Sequence, residues 1–179
     1  MLFAVYDTET TGLPDHPDAP IEQQPRIIEF GGIITDGVSV IDTLEFICDP
    51  GIAIEDIITE ITGLKNEDLK GKPDIGEYVS KLGGFFVQAD ASIAHNANFD
   101  KSMLYFDLTR RDLTLESIHF PKIEICTVEQ TYHQYGKRVK LIDLYRELVG
   151  EYEQKHRGMD DVLRLHEICK KIGIYNAFQ

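Results

Sequence analysis

Asp7 and Glu9 stand two residues apart at the end of an apolar and aromatic run, in LFAVYDTETTGL. Residues spaced by two along a strand point to the same side, which places these carboxylates about 6 to 7 Å apart. Two unit charges at that separation repel by roughly 2 to 3 kcal/mol when the effective dielectric is near 20. A cation is the simplest compensation.

A second acid with unusual placement lies near the C-terminus, in HRGMDD. The spacing predicts a helix from about Met159 to Ile172, stopped by Gly173. On it, positions 160, 164, 167 and 171 are Asp, Arg, Glu and Lys, a charged stripe expected to face water. Positions 161, 165, 168 and 172 are Asp, Leu, Ile and Ile, the core stripe. Asp160 therefore reads as a surface residue, and Asp161 as a carboxylate at the outer end of an apolar face, where burial without a partner is costly. Helix capping or an arginine partner would also account for Asp161 taken alone. His156, five residues earlier, could stand over the same site. Asp100, in AHNANFDKSML, lies within one position of the apolar stripe Phe99, Met103 and Phe106. Its two readings are first-turn helix electrostatics and an inward-facing ligand.

The elements that must position these groups read as follows. LFAVYD is a strand ending at a turn, and Leu13 to Pro25, with four prolines, is a loop bordering it. RIIEFGGIITDGVSVIDTLEFICDP holds two strand-like runs joined at Thr35-Asp36-Gly37, so the first three strands are expected to be neighbours. Asp74, with Glu77 three residues on, reads as a capping box before a helix. ASIAH is a short buried strand followed by the helix NANFDKSMLYFDL, and TVEQTYHQY and KLIDLYRELVG are two more helices. Strands first, then strand and helices, indicate an α/β fold with a mixed sheet.

The chain has 179 residues, 42% of them hydrophobic, enough for one domain with a substantial core, residues 1–179. No apolar run is long enough to span a membrane. MLFAVYD lacks the basic start of a signal peptide. Cys48, Cys126 and Cys169 are widely spaced, which argues for reduced thiols in a cytoplasmic protein and against a structural zinc site. With 18 basic against 31 acidic residues the formal charge is −13, which opposes nonspecific binding to nucleic acid. A phosphate substrate would have to be met locally, through metal ions or a few cations.

DTETTGL, HNANFD and HRGMDD, in that order and spacing, resemble the three motifs of the DEDDh 3′–5′ exonucleases. RIIEFGGI, ITGLKNEDL and ICTVEQT are secondary matches, and the resemblance runs from Met1 to about Ile172. It implies a ribonuclease-H-like, mixed five-stranded sheet flanked by helices, and a 3′–5′ exonuclease of single-stranded DNA or RNA. It also implies that Asp7, Glu9, Asp100 and Asp161 bind two Mg²⁺ or Mn²⁺ ions and that His156 is the general base. The family spacing from His156 selects Asp161 over Asp160, in agreement with the helix-face argument. Less directly, the resemblance places Thr10, Thr11, Gly12 and Leu13 along the 3′-terminal nucleotide, with Thr62, Leu64, Asn96 and Phe99 as further contacts. Plain core packing is the alternative for Leu13, Leu64 and Phe99. Gly158 stands where the family usually has Ala, which is expected to loosen the helix start by up to about 1 kcal/mol.

Two other functions share these residues. A noncatalytic module with this fold would be expected to have lost an acid or the histidine, and all five positions are filled. A phosphohydrolase of small nucleotides would differ only in the depth of its pocket. A DNA polymerase or a second copy of the chain are the protein partners that the resemblance allows. Among the other histidines, His16, His95, His119, His133 and His166 show no ligand spacing, and His95 is expected to make structural hydrogen bonds.

Overall fold

The computed structural model describes residues 1–16, 19–152 and 157–177. Its strands are β1 (Phe3–Thr10), β2 (Ile27–Thr35), β3 (Val40–Ile47), β4 (Ala91–Ala94) and β5 (Ile123–Cys126). They form one sheet in the order β3-β2-β1-β4-β5. The pairs β1–β2 and β2–β3 are antiparallel, and β1–β4 and β4–β5 are parallel. The first three strands are therefore neighbours, as the Asp-Gly turn predicts. Asp36 closes that turn by accepting the N–H groups of Val38 and Ser39.

The helices are α1 (Asp56–Thr62), α2 (Asn66–Leu69), α3 (Val79–Phe86), α4 (Ala97–Thr109), α5 (Thr127–Tyr135), α6 (Leu141–Leu148), α7 (Gly158–Lys171) and α8 (Ile174–Ala177). Asp74 caps a 3-10 turn, Ile75–Tyr78, that leads into α3, through a bond from the Gly76 N–H. Gly173, at φ 75°, takes the left-handed conformation that ends α7. None of the described helices is long and apolar enough to cross a membrane.

Strand β1 is covered on both sides. Phe3 and Val5 pack with Leu144 of α6 and with Leu165 and Ile168 of α7. Ala4 and Tyr6 pack with Leu82 and Phe86 of α3 and with Met103 and Leu104 of α4. Each large side chain buried here contributes about 1.5–3 kcal/mol of apolar transfer. The strict alternation sends odd positions of β1 toward α7 and even positions toward α4, and it continues to the strand's end.

Asp161, Leu165 and Ile168 are buried, so the core stripe of α7 is where the sequence puts it. The opposite stripe departs from expectation. Asp160 is half-buried and accepts a bond from the Tyr152 hydroxyl at 3.2 Å. Arg164 lies 4.4 Å from the centroid of Tyr152 and 5.4 Å from that of Tyr145. A guanidinium attracted to aromatic faces, with its aliphatic stem laid along them, lets aromatic residues cover a charged stripe.

The base of the loop after β1 is tied to the end of α4. The Arg110 guanidinium donates to the carbonyls of Ile21, Gln24 and Pro25 and to Asp107 at 2.7 Å. Asp107 in turn accepts the N–H of Ile27, the first residue of β2, at 2.8 Å.

The start of α7 crosses β2 at two glycines. A Cβ on Gly31 would lie 2.5 Å from the Gly158 carbonyl carbon and 2.5 Å from the Met159 nitrogen. A Cβ on Gly158 would lie 3.0 Å from the Gly31 nitrogen. Gly158 therefore does more than lower helix propensity, because it belongs to a close backbone crossing. Gly31→Ala is expected to destabilise the fold by about 1–3 kcal/mol, as overpacking against backbone does. Urea unfolding checks this, and a midpoint equal to wild type would refute the close crossing.

Candidate active site

Asp7 and Glu9 occupy odd positions of β1 and so face α7, where Asp161 occupies the first turn. One ligand oxygen from each of Asp7, Glu9 and Asp161 can be chosen such that all lie within 4.8 Å of one another. Asp7 and Glu9 are half-buried and Asp161 is buried. Three carboxylates on two elements thus meet at one point, an arrangement of hard oxygen donors that suits Mg²⁺ or Mn²⁺.

Asp100 reaches the same region from the other side of the sheet. It is 2% exposed on the first turn of α4, and its Oδ1 accepts two bonds from Thr8. These come from the backbone N–H at 3.0 Å and the hydroxyl at 2.8 Å. Thr8 sits between Asp7 and Glu9, on the even face of β1. A single strand end therefore presents two acids to α7 and clamps a third acid on α4.

Glu29 adds a further carboxylate. It lies directly opposite Glu9 in the β1–β2 register and is completely buried. Arg157, the residue before α7, donates from Nε to both of its oxygens at 3.0–3.1 Å. The Arg157 carbonyl also accepts the Asp161 N–H at 3.0 Å, so the ion pair holds the end of α7 that carries Asp161.

Burial pushes the carboxyls of Asp7, Glu9 and Asp100 upward, and for Asp7 and Glu9 repulsion between the acids adds to it. Asp7 is raised well above the usual range, first by burial and then by Asp100, Glu9, Asp161 and Glu29. Glu9 is raised to about 8 by burial, Asp161, Glu29 and Asp100, with Arg157 opposing. Asp100 is raised to about 7 by burial, against which the two Thr8 bonds act.

The residues expected to line a terminal nucleotide fall into two groups. The Thr10 hydroxyl donates to the Gly12 carbonyl at 2.7 Å, and the Thr11 hydroxyl accepts the Arg26 N–H at 3.0 Å. These bonds fix the turn just past Glu9. Nothing lies within 4 Å of a Cβ placed on Gly12, and Leu13 is 81% exposed. Core packing is thus excluded for Leu13. Thr62 and Leu64 are buried, with the Thr62 hydroxyl bonded to the Ile58 carbonyl and the Leu64 N–H. Leu64 packs with Ile28, Ile54 and Leu69, so core packing accounts for it. Phe99 is half-buried against the α3 and α4 side of the core. Asn96 adopts the left-handed conformation at the start of α4 and accepts a bond from Arg138. His156 lies outside the described residues.

Thr8, Glu29 and Arg157 join the site without belonging to the candidate set that the sequence motifs define. Thr8 is legible by alternation, since a hydroxyl between two acids must face the other layer. Glu29 is the single charge inside the apolar run of β2.

Comparison with known proteins agrees with this geometry. The profile of the RNase_T exonuclease family matches residues 4–169, so the chain belongs to that exonuclease family. It is 31% identical over 170 residues to the PolC-type DNA polymerase III of Caldanaerobacter subterraneus subsp. tengcongensis, covering 95% of this chain and 11% of that protein. It is 34% identical over 109 residues to the DNA polymerase III subunit epsilon of Treponema pallidum, covering 61% of this chain and 47% of that one. The chain thus spans about a tenth of the PolC-type relatives and about half of the epsilon subunit. Among solved structures, E. coli ExoI in complex with single-stranded DNA superimposes with a TM-score of 0.78 at 18% identity, over 99% of this chain and 41% of that one. The nuclease domain of 3′hExo, a DEDDh family member, does so with a TM-score of 0.77 at 16% identity, over 97% and 92%. The fold is accordingly the α/β, ribonuclease-H-like exonuclease fold.

Raised carboxyl pKa values mean that the folded chain binds more protons than the unfolded chain between about pH 4.5 and 8. Stability then falls as pH rises through that range. Half-buried His95 and buried His166 have lowered pKa values and act the other way, mainly below the ordinary 6.5, so the window from about pH 6.5 to 8 is dominated by the acids. In EDTA the melting temperature is expected to fall across this window. Mg²⁺ should raise it by about 3 °C or more at pH 8, and by less at pH 6.5. A melting temperature in EDTA that rises from pH 6.5 to 8 would contradict the repulsion described here.

Proposed function

We propose that this chain is a metal-dependent 3′–5′ exonuclease that removes nucleotides from the 3′ ends of single-stranded DNA or RNA. The observation that carries the reading is the convergence of Asp7, Glu9 and Asp161 with their pooled negative charge. Asp100, held by Thr8, completes the set for two Mg²⁺ or Mn²⁺ ions, since oxygen donors that repel one another are those a divalent ion stabilises. Bound ions of this kind lower the pKa of an attacking water and offset charge on the phosphodiester oxygens.

The chain's own residues supply the rest. His156, by its position in the third motif, accepts the proton of the attacking water. Thr8 orients Asp100, and Arg157 limits the repulsion that Glu29 adds to Glu9. The turn at Thr10, Thr11 and Gly12 is rigid and open above Gly12, which suits close approach of a terminal nucleotide. Exposed Leu13 and half-buried Phe99 offer apolar surface to an unpaired base, and Asn96 its amide. Thr62 and Leu64, buried as they are, would act on a nucleotide only by supporting the residues that touch it. Such contacts are sequence-tolerant, as removal of any terminal nucleotide requires. The single exonuclease domain works in the cytoplasm, where its three free cysteines stay reduced. Likeness to PolC-type polymerases and to an epsilon subunit makes a DNA polymerase the favoured protein partner, ahead of a second copy.

The test uses 5′-labelled single-stranded DNA and RNA with Mg²⁺, Mn²⁺ or EDTA. A ladder of 3′-shortened products is expected with either ion and none with EDTA. Asp161→Ala should lower the rate about 100-fold or more, on the scale of losing an electrostatic catalytic group. Equal cutting by wild type and variant, or no cutting by either, defeats the proposal.

A further inference from the structure

A cavity of about 580 Å³ opens between the start of α4 and the segment joining α5 to α6. Asn96, Asn98, Glu129, Tyr132, His133 and Arg138 line it. Its volume falls in the range of about 300–1,000 Å³ typical of ligand sites. None of the three converging carboxylates takes part in it. It lies about one helical turn from Asp100, the fourth acid of the site, because Asn96 is the N-cap of α4 and Asp100 follows four residues later, about 6 Å along the helix axis.

The wall of this cavity is fixed by hydrogen bonds. His95 is bonded to the Thr127 hydroxyl through Nδ1 at 2.8 Å and to the Val139 carbonyl through Nε2 at 2.9 Å. A carbonyl only accepts, so Nε2 carries the hydrogen and Nδ1 accepts from Thr127. His95 thereby ties Val139 to the loop that starts α4. Arg138, next in the chain, donates one terminal nitrogen to the Asn96 side-chain oxygen. A guanidinium has five N–H donors, and the remainder of the fork is available at the cavity.

The chemistry of the lining points to one class of ligand. Tyr132 is 47% exposed, a large aromatic face turned out from α5. Lys137, Arg138 and Lys140 place three cations within four residues, all exposed, in a chain of net charge −13. Aromatic faces interleaved with cations and amides are what a sequence-tolerant track for single-stranded nucleic acid needs. Glu129 is the one acid in the lining, and it lies on α5 three residues before Tyr132.

We propose that this cavity is a subsite for a nucleotide on the 5′ side of the scissile bond, with its base on Tyr132 and its phosphate on Arg138. The proposal rests on the exonuclease reading and extends it from the terminal nucleotide to the strand behind it. It makes the chain prefer oligonucleotides to dinucleotides.

The test compares kcat/KM on single-stranded DNA of two and of eight nucleotides. Wild type should favour the longer substrate. Tyr132→Ala and Arg138→Gln should each cut that preference about tenfold, on the scale of one lost stacking contact. The change should lie in KM more than kcat, and Tyr132→Phe should restore it. Fluorescence anisotropy with an octamer whose 3′ linkages are phosphorothioate, in Mg²⁺, gives a second readout. There Arg138→Gln should reduce the slope of log affinity against log salt by about 0.7, one phosphate's worth, which a merely structural role would not do. A length preference within twofold of wild type in both variants, with an unchanged salt slope, overturns the subsite. Wild type that binds the octamer without cutting DNA defeats the exonuclease reading and leaves the subsite to be decided by anisotropy. Wild type that does not bind overturns the subsite.

Discussion

Five acidic side chains, Asp7, Glu9, Glu29, Asp100 and Asp161, are held at one end of the sheet against their mutual repulsion. That repulsion is the constraint on which the arrangement depends. It is opposed by apolar burial along both faces of β1, which keeps the strand in place whatever its last residues cost. The acids are not spread along the surface, where water would screen them cheaply. They are gathered from four elements and partly withdrawn from solvent, which costs stability, as groups held together at functional sites do.

The supporting contacts are economical. One residue, Thr8, uses its backbone and its hydroxyl to hold Asp100. One ion pair, Glu29 with Arg157, compensates the acid opposite Glu9 on the neighbouring strand and holds the start of α7. One pair of glycines, Gly31 and Gly158, brings α7 close enough to β2 for Asp161 to meet the strand acids. Replacing either partner of the ion pair would leave a charge poorly compensated, which is worse than never having had the pair. The same economy shows on the other side of α4, where His95 and Arg138 fix the wall of the neighbouring cavity.

The sequence was most legible where periodicity is strong. The hairpin of β2 and β3, the span of α5 and the buried face of α7 all follow from patterns of two or of 3.6 residues. Strand β5 was visible only through the family resemblance. It has four residues, two of them exposed hydrophobic and acidic side chains, so it lacks a clean apolar pattern. The polar stripe of α7 departs from its pattern for a different reason. Asp160 and Arg164 carry the signature of a solvated face, yet Tyr145 and Tyr152 cover them. Periodicity reports which face is apolar, and it is silent on whether aromatic residues from elsewhere will lie across the polar one.

For the site, the sequence by itself determined which carboxylates are candidates and on which face of its own element each lies. Alternation aligned Asp7 with Glu9, and helical spacing separated Asp161 from Asp160. Only the tertiary structure decided that these faces meet, because the packing of α7 on the odd face of β1 and of α4 on its even face is a long-range outcome. It also decided what holds them, since Thr8 and Asp100 are 92 residues apart and Glu29 and Arg157 are 128 apart. Local patterns encode the direction of a side chain relative to its own backbone. The partner it finds there is chosen by the burial of every other side chain on the same face.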